Sequence, residues 1–229
     1  MSHQKEEKAR AALKALEEVQ DGMVVGLGTG STAAVFIEAL AAKVNDQNWQ
    51  ITGVATSKRS AELAQSLGLT VKDIDEVSAI DVTIDGADEV DPELNGIKGG
   101  GAALLYEKVV ALRSKKNVWV VDQSKAHDLL GTFPLPVEVI EFGAQQVYLT
   151  LAELNLRPKF RMKNESERAK TDSGHNIIDV RIDQVDDKKA LAKTLKAITG
   201  VVEHGLFLDI CDKVIIGTDP IQTLVKKTT

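Results

Sequence analysis

One cysteine in 229 residues, Cys211, leaves the chain without any internal disulfide, so a reducing cytoplasm is the expected compartment. There is no Cys-x-x-Cys, and His3, His127, His175 and His204 show no i, i+4 pairing, so the spacing of a zinc site is missing and no metal is expected. No apolar run reaches the roughly 18 residues of a membrane span, and Ser2-His3-Gln4-Lys5-Glu6-Glu7 lacks the apolar core of a signal peptide. The expectation is a soluble intracellular protein with no membrane partner. A basic face is also lacking. With a formal charge of −6 and its lysines and arginines scattered, the chain has no general nucleic-acid surface, and an anionic ligand must be met by local groups. Internal repeats and low-complexity segments are absent as well.

The length gives core enough for one large domain or two small ones. Ala9, Ala12, Leu13, Leu16 and Val19 recur at helical spacing over 5–19, and Asp21-Gly22 ends that helix. Met23-Val24-Val25-Gly26-Leu27 reads as a buried strand, followed by the turn Gly28-Thr29-Gly30-Ser31-Thr32 and a helical pattern over 33–43. The alternation continues with strand 51–55, helix 60–67, strand 81–84, helix 102–114 and strand 117–121. It predicts an α/β fold with a Rossmann-like parallel sheet flanked by helices.

The segment Gly131-Thr132-Phe133-Pro134-Leu135-Pro136 holds two of the five prolines and breaks this rhythm, marking a crossing into a second unit. Strand 137–140, helix 144–154, strands 159–162 and 176–182, helix 188–198 and strand 201–204 then follow the order β-α-β-β-α-β of an inserted ferredoxin-like α+β module. The apolar runs 206–210 and 213–216 are expected back in the first sheet. The predicted division is thus 1–130 plus 205–229 for the Rossmann-like unit and 131–204 for the ferredoxin-like one.

Three motifs carry chemistry. Gly28-Thr29-Gly30-Ser31-Thr32 puts small residues and hydroxyls at a helix start, where free N–H groups and the helix dipole favour an anion such as phosphate. Its spacing is not the dinucleotide Gly-x-Gly-x-x-Gly, and no lysine follows as in a P-loop. Taken alone it is equally a βα turn capped by Ser31 or Thr32. Asp85-Gly86-Ala87-Asp88-Glu89 ends a strand, where ligands bind in open α/β sheets, although a solvated acidic loop with Asp88 or Asp91 capping a turn has the same composition. Lys98-Gly99-Gly100-Gly101 runs into a helix carrying Glu107 among Leu104, Leu105, Val109 and Val110. Apolar packing there would disfavour the charged carboxylate and raise its pKa toward that of a useful base, whereas a surface Glu107 would pair with Lys108 or Arg113. Lys98 and Lys125 add positive charge at strand ends.

These runs, with Asp122-Gln123-Ser124-Lys125 and Phe133-Pro134-Leu135-Pro136-Val137-Glu138-Val139, are five ordered motifs covering nearly the whole chain, and together they resemble ribose 5-phosphate isomerase of the A type. The resemblance implies interconversion of ribose 5-phosphate and ribulose 5-phosphate in the non-oxidative pentose phosphate pathway, through an enediolate, with neither metal nor redox cofactor. Glu107 would be the base, Asp85 and Asp88 would assist ring opening and proton movement among the oxygens, and Lys98 would stabilise the enediolate. Ser31, Thr32, Lys125 and Lys8 would hold the phosphate, with Gly28, Thr29, Gly30, Gly86, Ala87, Gly99, Gly100 and Gly101 lining the same site. A homo-oligomer, dimer or tetramer, is implied too, with the inserted unit closing the cleft or building the oligomer. Tyr106 stands where many members carry Arg, which bears on local packing only. The same fold serves amino sugar phosphate deaminase-isomerases, which need a catalytic histidine, and sugar phosphate sensor domains, which carry an N-terminal helix-turn-helix. No histidine lies in the motifs, and only about 20 residues precede the first strand.

Overall fold

The computed structural model describes residues 3–226, so the outermost ends of the predicted division, 1–2 and 227–229, lie outside the described residues. Helix α1 (His3–Ala15) is followed by β1 (Val24–Leu27), α2 (Ser31–Gln47), β2 (Thr52–Ala55), α3 (Lys58–Ser66) and the short β3 (Thr70–Val71). Then come β4 (Val82–Asp85), the hairpin β5 (Glu89–Val90) and β6 (Gly96–Ile97), α4 (Leu104–Leu112) and β7 (Asn117–Val121). The chain crosses to β8 (Leu135–Val139), α5 (Ala144–Glu153), β9 (Lys159–Phe160), β10 (Asn176–Val180), α6 (Lys188–Ala197) and β11 (Val201–His204). It ends in β12 (Leu206–Phe207), β13 (Lys213–Ile216) and β14 (Gln222–Val225). Among the described residues no helix is long and apolar enough to cross a membrane.

The main sheet has the order β14-β13-β7-β4-β1-β2-β3, parallel except at the β14 edge. Both of its faces are covered, and β7 shows why. Val118 and Val120 face a core with Phe36, Ile37 and Leu40 of α2 and Ala11, Ala12 and Ala15 of α1, whereas Trp119 and Val121 face Phe207 and Ile216 on the other side. The period of two in a strand buried on both sides makes each of these residues apolar. From β1 the chain runs outward to β2 and β3, then returns to lay β4 on β1's other flank. The strand order therefore reverses between β1 and β4, the position at which open α/β sheets hold ligands.

The predicted β-α-β-β-α-β order gives a second sheet, β11-β8-β10-β9, antiparallel throughout, which is the ferredoxin-like arrangement. Leu135, Val137, Val139, Ile178 and Val180 face α5 and α6. Of the two last apolar runs, β13 does return to the main sheet. The run predicted over 206–210 instead contributes only β12, which pairs with β6 in a separate three-stranded sheet with β5. β3, β5, β6 and β14 were not anticipated: three have only two residues, and Gln222–Val225 is an exposed edge with no apolar period.

Glu89, fully buried on β5, holds the crossing between the two sheets. Its carboxylate accepts the backbone N–H groups of Gly131 (2.9 Å), Thr132 (3.0 Å) and Phe133 (3.2 Å). Glu89→Ala takes the acceptor from three N–H groups, of which that of Gly131 is buried, and is expected to destabilise the protein by roughly 1–3 kcal/mol in urea denaturation. A variant as stable as the parent would show that other contacts hold the crossing.

Candidate active site

The carboxyl ends of β1 and β4 are hydrogen-bonded neighbours, so the turns that follow them meet. They meet so closely that Gly28 has no room for a side chain: a Cβ there would stand 2.1 Å from Asp85 Oδ1 and 2.5 Å from its Cα. Asp85 uses that proximity. Its Oδ1 accepts N–H bonds from Thr29 (2.9 Å) and Gly86 (2.7 Å), and its Oδ2 stands 2.9 Å from the Lys98 ammonium. Lys98 follows β6, is fixed by its N–H to Gly205 O (2.9 Å), and is 2% exposed. Its ammonium also donates to Gly86 O and lies 3.4 Å from Glu107 Oε1. Burial alone would lower the Lys98 pKa, but the charges of Asp85 and Glu107 outweigh it, so the value rises and the group stays an ammonium.

Glu107 occupies the first turn of α4 and is 5% exposed, so it is neither a surface residue nor a partner of Lys108 or Arg113. Burial pushes its pKa up, Lys98 pulls it down, and Asp85 and Asp88 push it up again, leaving it at about 8. Its second oxygen, Oε2, is buried and has no hydrogen-bond partner. The flanking residues play less part in this burial than their apolar character suggests, because Val109 points to solvent at 42% exposure. Tyr106, the departure from the family pattern, also faces outward, its hydroxyl accepting a bond from Ser173 (3.0 Å). Asp88 accepts the N–H of Gly100 at 2.6 Å, and the turn-capping role falls to Asp91, which accepts the N–H groups of Glu93 and Asn95.

The anion end is built at the start of α2. Its N-cap is Gly30, at φ +107°, a region that glycine enters without steric cost, and no side chain caps the helix. Ser31 and Thr32 therefore do not cap, and the first-turn N–H groups remain open to a ligand. Lys8, from α1, donates to Ser31 Oγ at 3.1 Å and lies 3.9 Å from Asp122 Oδ2. The Thr29 hydroxyl is committed to structure: it bonds Thr56 (2.7 Å) and Ser57 (2.9 Å), while Ser60 donates to Gly28 O (2.7 Å), bracing the turn from α3.

These parts enclose one cleft with a cavity volume of about 160 Å³. Thr29, Gly30, Ser31 and Thr32 line it from the first turn, Gly86, Ala87 and Asp88 from the second, and Lys98, Gly99, Gly101 and Glu107 from the third. Lys8 and Lys125 line it as well. Asp85, Gly28 and Gly100 are not on the wall; Asp85 acts from behind through Lys98. Gln4, Val121 and Asp122 also line the cleft and were not anticipated. Asp122 lay inside a recognised motif, but Gln4 carries no one-dimensional signal. Its amide reaches Asp122 Oδ2 (3.2 Å) only because α1 lies across the sheet.

Residues 52–220 match the family model described as ribose 5-phosphate isomerase A (phosphoriboisomerase A). The chain is 51% identical over 210 residues to ribose-5-phosphate isomerase A of Levilactobacillus brevis, spanning 92% of each chain. It is 50% identical over 220 residues to that of Streptococcus suis, spanning 96% of this chain and 98% of the other. Among solved structures, a D-ribose-5-phosphate isomerase in complex with phospho-erythronic acid superposes with a TM-score of 0.94 at 40% identity, covering 98% and 100% of the two chains. Ribose 5 phosphate isomerase A from Neisseria gonorrhoeae gives 0.91 at 39% identity, with both chains covered in full.

The charges around Glu107 set a testable titration. With glutamate side chains labelled at the carboxyl carbon, NMR should show Glu107 titrating near about 8, and the signal should be missing in Glu107→Gln. Asp88→Asn removes a negative neighbour that raises the value, so the midpoint should move to lower pH. A midpoint in the ordinary carboxylate range in the parent protein would contradict the burial argument.

Proposed function

Because the chain belongs to the ribose 5-phosphate isomerase A family, and so is an aldose–ketose isomerase interconverting D-ribose 5-phosphate and D-ribulose 5-phosphate, we propose that Glu107 is its base. The free oxygen Oε2 carries this reading. It is a buried acceptor that nothing in the protein satisfies, in a carboxyl held near neutral pH, beside a fixed ammonium. A base matched to the operating pH abstracts and returns a proton with least cost.

In the open-chain aldose, Glu107 takes the proton from C2 and the electron pair moves toward C1, placing negative charge on the carbonyl oxygen. Lys98 stabilises that charge. Since the ammonium is already fixed by Asp85 and Gly86 O, it needs no reorganisation as the charge develops. A proton then passes from the C2 hydroxyl to the C1 oxygen, and Glu107 returns its proton to C1, giving the ketose. The two aspartates divide the remaining work. Asp85, with both oxygens engaged by Thr29, Gly86 and Lys98, holds the ammonium, whereas Asp88, on the cleft wall, opens the sugar ring and moves protons among the oxygens. The phosphate sits at the start of α2 between Lys8 and Lys125, with the Ser31 and Thr32 hydroxyls donating to it. In a protein of charge −6 this local pair of lysines supplies the attraction.

None of the residues lining the cleft comes from 131–204, so of the two roles expected for that unit, closing the cleft or building a homo-oligomer, the second is favoured, and exposed apolar residues such as Phe142 (90%) and Leu112 (66%) support a partner surface. The lone buried Cys211, whose thiol burial pushes up to about 12, suits a reducing cytoplasm.

Purified protein should convert ribose 5-phosphate to ribulose 5-phosphate in EDTA, and Glu107→Gln should lower kcat by about 1,000-fold or more. Retained turnover in that variant would remove Glu107 as the base. Lys125→Ala should raise KM by about tenfold with little change in kcat, the signature of a contact made equally before and during reaction. An unchanged KM would take Lys125 out of the phosphate site.

A further inference from the structure

The face of the ferredoxin-like sheet turned away from α5 and α6 carries Glu138 and Asp179, and from its edge Arg161 reaches the glycine loop. Arg161, just past β9, makes a two-point contact with Asp179 of β10, Nε to Oδ2 at 2.9 Å and Nη2 to Oδ1. The remaining edge of the guanidinium donates from Nη1 to two successive carbonyls, Gly99 O (2.7 Å) and Gly100 O (3.1 Å). Arg161 itself is not on the cleft wall.

The Gly99 carbonyl and the Gly100 N–H belong to the same peptide group. Arg161 holds that peptide by its oxygen, and Asp88 holds it by its hydrogen, at 2.6 Å. The result is one chain of charge-assisted bonds running from the Asp179 carboxylate through the guanidinium and the peptide to the Asp88 carboxylate. Each bond polarises the next. Gly99, at φ +102°, also accepts the Ala102 N–H at its carbonyl (3.0 Å), so the backbone closes the turn once and the guanidinium adds a second, charged hold on the same oxygen.

We propose that Arg161 is a positioning residue for the isomerisation: it fixes the Gly99–Gly100 peptide so that the Gly100 N–H holds Asp88 where protons must move between the sugar oxygens. This rests on the part given to Asp88 above. A lysine at 161 can reach one carbonyl but cannot also grip Asp179 at two points, so the conservative variant rescues only part of the effect.

The test measures kcat and KM for Arg161→Gln, Arg161→Lys, Asp88→Asn and the double variant Arg161→Gln/Asp88→Asn. Displacement of one catalytic group is expected to lower kcat of Arg161→Gln by about 10- to 100-fold with KM changed less than about threefold, and Arg161→Lys should lie between it and the parent. Because Arg161 acts through Asp88, the double variant should be no slower than Asp88→Asn alone. Parental kcat in Arg161→Gln alongside an impaired Asp88→Asn overturns the proposal, and so do losses that multiply in the double variant. Parental kcat in Asp88→Asn instead overturns the role given to Asp88, and the proposal with it. Should Arg161→Gln fail to fold, Asp179→Asn makes the same comparison in the same Asp88 background.

Discussion

Everything at the catalytic end is arranged around one buried ammonium. Lys98 stands between two carboxylates, and without it the buried Asp85 and Glu107 would lack a countercharge. Removing one partner from such a buried set costs about 3–5 kcal/mol, because the other is left without compensation. The same ammonium ties three chain segments together: Gly86 from the second turn, Glu107 from α4, and, through its own backbone, Gly205 beyond the small sheet. The Phe207 ring lies 5.4 Å from it and 4.7 Å from the ammonium of Lys108, so one aromatic ring serves two buried cations. Lys108 in turn donates to Glu203 (2.8 Å) and to His204 O (2.6 Å), pinning α4 to β11. Burial would raise the Glu203 pKa, but Lys108 dominates and holds it at about 2, while burial and Lys108 push His204 down to about 4. Adjacent residues of α4 thus face opposite duties: Glu107 is left partly unsatisfied, and Lys108 is fully engaged.

The smaller sheet shows how one strand can serve two purposes. Its period of two places Leu135, Val137 and Val139 in a core with α5 and α6, while Pro136 and Glu138 turn toward the main unit. Glu138 is fully buried and accepts from Thr171 (2.9 Å), with His175 Nδ1 at the same distance. Asp179 shares this face and anchors Arg161. An apolar face builds the module, and a charged face connects it to the reaction.

Legibility in the sequence followed burial and length. The five residues of β7 were bounded correctly because each is buried and apolar or amide-bearing, and neighbouring Lys116 and Asp122 end the run sharply. The start of α2 was placed two residues late because Ser31 and Thr32 read as caps, whereas Gly30 occupies that position. The small hairpin of β5 and β6 was invisible because two residues carry no period, yet it is what places Lys98. At the site, residues within glycine-rich or acidic runs were legible because such runs are uncommon inside regular elements. Gln4 and Arg161 were not, since each reaches the site only through tertiary packing: α1 across the sheet in one case and a sheet edge against a loop in the other.

Helix α1 lies against Gly217 so closely that a Cβ there would stand 1.8 Å from Glu7 O, and Arg10 donates to Gly217 O (2.9 Å) across 207 positions of sequence. That helix also brings Lys8 to the cleft. During synthesis the first helix can pack on α2 early, but its seat is finished only when the strand ending at Ile216 has left the ribosome. Lys98 waits as well, because its N–H is held by Gly205 O, so both ends of the cleft take their final form only with the last quarter of the chain. A nascent chain thereby carries an unfinished cleft until it is nearly complete.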